Sequence, residues 1–181
     1  MSTQDIAPLL NEGEARLSAE DWDGAVAVLR QAVAAQPSSA VARSKLGIAY
    51  AHRREWEAAR AEFLRAIELD PAYAPAHSNL GNVYREQGRP EEAIASYRKA
   101  LALDPEYWIA HQNLAVVYKE QGRIDEAVRE SRISARLSIR AGRIDRTGAM
   151  GVDRPGVRLG CLGTGGSAAA LLFAALAMLR R

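Results

Sequence analysis

Residues 74–107 read APAHSNLGNVYREQGRPEEAIASYRKALALDPEY, and residues 40–73 read AVARSKLGIAYAHRREWEAARAEFLRAIELDPAY. Laid one over the other, the two stretches keep the same residue types at the same places. Leu46-Gly47 stands over Leu80-Gly81, Tyr50 over Tyr84, Ala59 over Ala93, Phe63 over Tyr97, and Ala66 over Ala100. Pro37, Pro71 and Pro105 are each 34 residues apart. A fixed period of this length means stacked copies of one supersecondary unit, each burying its apolar face against its neighbours.

The period extends outward in both directions. Leu114-Ala115, Tyr118 and Ala127 continue it on one side, and Gly13, Ala25, Leu29 and Ala32 on the other. The first copy carries Glu12 and Arg16 where Leu and Tyr are expected. The last has Ser131 and Ser134 in place of an aromatic and an Ala, and no closing Pro. Atypical terminal units are what a linear array requires, because its end faces meet solvent.

Within a unit the residues read as two helices and two turns. Proline disfavours helix at the residue before it, so each Asp-Pro pair ends a helix. Gln87-Gly88-Arg89-Pro90 and Gln121-Gly122-Arg123 turn between helices, with glycine free to take positive φ. Pro90 can open the next helix, where its missing N–H costs nothing. Gly47 and Gly81 fall where two helices would cross closely, against Ala59 and Ala93. Glu91-Glu92 and Asp125-Glu126 suit the positive end of a helix rather than acid-base work.

An L-G-x-x-Y on the first helix, an A-x-x-x-F on the second and a closing Pro together resemble the tetratricopeptide repeat family over about residues 6–139. The resemblance implies an all-α, right-handed α-solenoid of about four helix-turn-helix units, 6–39, 40–73, 74–107 and 108–139. It implies a non-catalytic adaptor that binds a protein or peptide, a second copy of the chain included, on a concave face lined by the first helices. The positions that face the groove in the family fall here on Ser44, Lys45 and Ile48. In the next unit they fall on Ser78, Asn79, Asn82 and Arg85, and then on Gln112, Asn113, Val116 and Lys119. Asn79 and Asn113 share one repeat position, and the wording around them is similar to repeats of the O-linked N-acetylglucosamine transferase superhelix. There an asparagine ladder grips a peptide backbone. Lys45 interrupts that ladder. The family's carboxylate clamp is not matched, since Leu10 and Glu14, or Ser44 and Ile48, stand at its opening pair.

Nothing in the pattern points to chemistry. His77 and His111 lie one repeat apart, too far to share a metal directly, and are expected to pack with a hydrogen bond. No paired-histidine zinc spacing occurs. Trp22 and Trp56 share a repeat position and read as core. Gly163-Thr164-Gly165-Gly166-Ser167 lacks the preceding strand and following Lys of a phosphate loop; Ser167 reads as a helix N-cap. No cofactor or metal is expected. A single cysteine, Cys161, excludes an internal disulfide.

Charge is uneven. Residues 1–139 carry 17 basic and 20 acidic side chains, whereas 140–181 carry seven Arg and two Asp. An acidic body with a basic tail argues against nucleic acid, which favours a basic stripe on the folded part. Residues 140–160 read as a basic flexible linker, and 161–181 as an apolar segment. Cys161 to Leu179 holds no charge, but its strong part, Ala168 to Leu179, is short of the roughly 20 residues that span a bilayer. Three readings stay open: a membrane anchor that leaves the repeats in the cytoplasm, the chain then being an alternative kind of scaffold, a structural or assembly subunit of a membrane-associated complex; an amphipathic or buried helix that docks on the exposed end of the array; and a disordered Ala-rich end. Met1 to Asp5 shows no secretory signal.

Overall fold

A computed structural model describes residues 5–142. They form eight α-helices in four antiparallel pairs: α1 (Ala7–Ser18) with α2 (Trp22–Ala35), α3 (Ala40–His52) with α4 (Trp56–Leu69), α5 (Ala74–Glu86) with α6 (Pro90–Leu103), and α7 (Trp108–Glu120) with α8 (Ile124–Arg140). No strand occurs among the described residues. Each second helix packs on the first helix of the next pair, and the first helices α1, α3, α5 and α7 also touch in series. The result is the all-α solenoid that the resemblance implies.

Local chemistry sets the helix ends. The Asp21 carboxylate accepts from Gly24 N–H at 3.0 Å and Ser39 Oγ from Ala42 N–H at 3.2 Å, each satisfying an orphan donor of a first turn. Pro90 is the first residue of α6. After α4 and α6 the Asp-Pro pairs close small turns, with Asp70 Oδ1 accepting from Ala72 N–H and Asp104 Oδ1 from Glu106 N–H, both at 3.0 Å. Inside each pair the turn has one left-handed residue, and these are one repeat apart: Glu20 (φ 59°), Arg54 (61°), Gly88 (70°) and Gly122 (74°).

The core sits between helices of a pair and between successive pairs. Phe63 and Tyr97 are fully buried. A methyl group on Gly47 would come within 2.7 Å of the Phe63 ring, and one on Gly81 within 2.7 Å of the Tyr97 ring. The glycines therefore make room for the aromatic ring of the facing helix. Gly13 does the same for Leu29, at 2.5 Å.

A second recurrent contact ties each closing turn to the helix after it. Arg43 Nε donates to the Pro37 carbonyl at 3.0 Å. His77 Nε2 meets the Pro71 carbonyl at 3.1 Å, and His111 Nε2 the Pro105 carbonyl at 3.2 Å. These three side chains occupy one repeat position. The histidines thus pack with a hydrogen bond, as expected of them, and His111 Nδ1 also contacts Glu130 at 2.6 Å.

The last helix differs from its predecessors. Ser134 Oγ donates to the Trp108 carbonyl at 3.0 Å, so its hydroxyl is satisfied where an alanine methyl stands in other units. The linker read at 140–160 is described only through Gly142, and the apolar segment 161–181 lies outside the described residues. Among the described residues no helix is long and apolar enough to cross a membrane.

Candidate functional site

The series α1, α3, α5 and α7 forms the face on which the family-derived groove positions fall, and its side chains divide by burial. Ser44, Ser78, Asn82 and Asn113 are buried, at 1%, 0%, 3% and 5% exposure. Lys45, Ile48, Asn79, Arg85 and Gln112 are half-buried, while Val116 and Lys119 are exposed. Periodicity cannot make this division, because one helix position is covered or open according to the residue that packs on it.

Two of the buried residues are engaged in packing. Asn82 Oδ1 accepts from the Tyr97 hydroxyl at 2.7 Å, joining α5 to α6. Burial pushes the Tyr97 hydroxyl far above its ordinary pKa, so it stays a neutral donor. Ser44 is hydrogen-bonded to the Tyr73 hydroxyl, and burial raises that hydroxyl too. Tyr73 caps α5, and Tyr107 caps α7 one repeat later. This tyrosine pair was available in the sequence as a periodic signal; Tyr73 takes up Ser44, and Tyr107 packs with Ala74, Ala100 and Ala110.

The other two buried groups lack partners. Among the described residues Ser78 Oγ and Asn113 Nδ2 have no hydrogen-bond partner. They stand on α5 and α7, which touch. Among the described residues Asn79, in register with Asn113 and half-buried, likewise shows no side-chain hydrogen bond. Buried donors of this kind are rare in folded proteins and call for water or a ligand.

The cations of this face are largely neutralised from within. Lys45 is ion-paired with Glu14 of α1. Arg85 lies 2.7 Å from Glu86, both well covered. Lys119 is exposed beside Glu120. The face is therefore polar and near-neutral rather than a trap for an acidic tail, and it includes Glu14, at the repeat position of Ile48, Asn82 and Val116, and Glu86, which the family pattern does not mark. Among the described residues no group of three His, Cys, Asp or Glu is placed to hold a metal ion.

Residues 53–88 and 81–122 match the family model of the TPR repeat. Residues 53–122 of the chain are thus tetratricopeptide repeats. Solved structures agree. A crystal structure of MamA is 29% identical, spans 76% of this chain and 81% of that one, and has a TM-score of 0.64. A second crystal structure of MamA protein is 28% identical over 78% of this chain and 77% of that one, with a TM-score of 0.62. A mutant of the Thermobaculum terrenum O-GlcNAc transferase is 30% identical over 65% of this chain, at a TM-score of 0.62, but only 23% of that chain is matched. The likeness to that enzyme is thus a likeness of repeats. A search of curated proteins returns no match. As a stack of such repeats the chain is a protein-interaction scaffold.

Proposed function

We propose that the face formed by α1, α3, α5 and α7 receives an extended segment of a partner protein and grips its backbone through Asn79 and Asn113. The observation that carries this reading is the unpartnered Asn113 Nδ2, buried on α7. An amide that donates and accepts together suits a peptide backbone, which offers both groups at every residue. Ile48 and Val116 supply apolar contacts, with Lys45, Arg85, Gln112 and Lys119 around them. Ser78 Oγ is a further unsatisfied group beside the ladder. Because Lys45 and Arg85 already face carboxylates, the ligand read here is not selected by negative charge.

The test begins with selection of binders to the full-length chain from a random peptide library. The affinity of a selected peptide is then compared for the wild type and for Asn79→Ala with Asn113→Ala. We expect affinity to fall by at least about tenfold, since two polar contacts of roughly 1 kcal/mol each are lost. Melting temperature should stay unchanged, because neither amide is hydrogen-bonded within the protein. Peptides that bind both forms equally would place the binding surface elsewhere. The alternative role, a membrane-held assembly subunit, depends on residues 161–179 and draws no support from the described helices.

A further inference from the structure

Among the described residues nothing covers the outer face of α8, and its repeat equivalents show what such a face normally meets. Val26, Ile94 and Val128 occupy one repeat position. Val26 is 5% exposed and packs with Leu46 and Ala49 of α3. Ile94 is 7% exposed and packs with Leu114, Val117 and Tyr118 of α7. Val128 is 43% exposed, with Ile124 and Ile139 at 56% and 48%. On a helix of 3.6 residues per turn, Ile124, Val128, Ala135 and Ile139 fall in one stripe. All four are exposed, and among the described residues α8 touches only α7. In every earlier unit, this side of the second helix is covered by a helix of 13 residues.

We propose that Ala168–Leu179 of the same chain covers this stripe. The segment has twelve residues and no charge. Leu172, Ala175, Leu176 and Leu179 have the i, i+3, i+4, i+7 spacing of an apolar helix face. Apolar runs of about 10–14 residues more often make buried helices than membrane spans. Residues 143–167 join it to the array, and 25 residues reach up to about 80 Å when extended, against about 26 Å for the whole of α8. Attachment through such a linker gives a millimolar effective concentration, an advantage that a second copy lacks. A second copy pairing through α8 would also bring together two sets of Arg129, Arg132 and Arg136, all exposed beside the stripe. The segment itself carries no charge and brings only Arg180 and Arg181 at its end, fewer like charges than a second α8 would. The inference stands apart from the groove reading, since no residue of the peptide face takes part.

The experiment uses the full-length chain in lipid-free buffer with Cys161→Ser. Val128→Cys combined with Leu172→Cys should form an intrachain disulfide under mild oxidation, read as a mobility shift at monomer mass. Arg136→Cys combined with Leu172→Cys should react at least about tenfold more slowly, because Arg136 lies off the stripe by roughly a quarter turn. In a second measurement, Leu172→Asp with Leu176→Asp should speed hydrogen exchange of the 124–140 amides by about tenfold, since local protection follows burial. Equal rates of the two cross-links, or unchanged exchange in α8, overturn the proposal. A cross-link formed only between chains would make a second copy the occupant. Segment 168–179 protected from protease solely when phosphatidylglycerol vesicles are added would make it a membrane element.

Discussion

The Tyr97 hydroxyl donates to Asn82 Oδ1 at 2.7 Å in the interior of the third unit, and one repeat earlier the same two places hold Phe63 and Ile48. Ile48 packs against the cluster that contains Phe63. The array thus solves one packing position twice, once with a polar pair and once with an apolar one. Removing half of the polar pair leaves a buried group unsatisfied, at a cost of about 1–3 kcal/mol. Asn82→Ala should lower stability by that amount in a denaturant titration. Asn82→Ile with Tyr97→Phe should recover most of it, because it recreates the neighbouring unit's pair. A double variant no better than Asn82→Ala would show that the two sites are not equivalent.

The glycine beneath each ring follows the same logic. Gly47 faces Phe63 and Gly81 faces Tyr97, whereas the fourth unit pairs Ala115 with Ser131. Where a large side chain stands opposite, Leu29 in the first unit included, the glycine is kept; where only Ser131 stands opposite, it is lost. Gly81→Ala should therefore destabilise by roughly 1–3 kcal/mol through overpacking against Tyr97. The native Ala115 has no ring opposite, so Ala115→Gly should not stabilise. Thermal melts of both variants check this, and an unchanged melting temperature for Gly81→Ala would remove the steric account.

Most of the helical layout was legible because it depends on spacing. Pro37, Pro71 and Pro105 mark the closing turns, and the Gly-aromatic steps mark the pair crossings. What spacing could not show is which side chain covers which. Asn82 and Asn79 look alike as groove residues, yet Asn82 is committed to Tyr97, a partner fifteen residues away. Ser44 is taken by Tyr73, and Lys45 by Glu14 of the unit before. The common position of Arg43, His77 and His111 carries three different polar reaches to one carbonyl. Residue identity hides that kinship, and only the shared acceptor reveals it.

The left-handed turn position offers a stabilising change. Gly88 and Gly122 take it without strain, but Arg54 holds φ 61°. An L-residue there costs roughly 1–2 kcal/mol. Glycine carries an offsetting entropic cost of about 0.5–1 kcal/mol in the unfolded chain. Among the described residues Arg54 has no ion-pair partner to lose. Arg54→Gly should raise stability by roughly 0.5–1 kcal/mol, the difference of the two effects. Gly88→Ala should lower it, though no atom lies within 4 Å of the added methyl, because the strain is in the backbone. A fall in stability for Arg54→Gly would mean that the arginine side chain contributes more than its turn strain.

His52 gives the array a pH dependence with a defined sign. Its ring stacks on Trp22, with centroids 4.1 Å apart and planes 2° from parallel. Burial lowers its pKa below the ordinary 6.5, and nearby Glu20 opposes that only in part. The unfolded chain then binds a proton that the folded chain refuses, so this contribution to stability rises with pH. It is fully present above about 6.5 and is lost as pH falls from there toward the folded value. His52→Gln removes the titrating ring. Melting temperatures of both proteins from pH 7.5 to pH 5 should converge as the pH falls, with the wild type losing more. Parallel curves would mean that the ring is as readily protonated in the stack as in water, and that the Trp22 contact does not exclude the charged form.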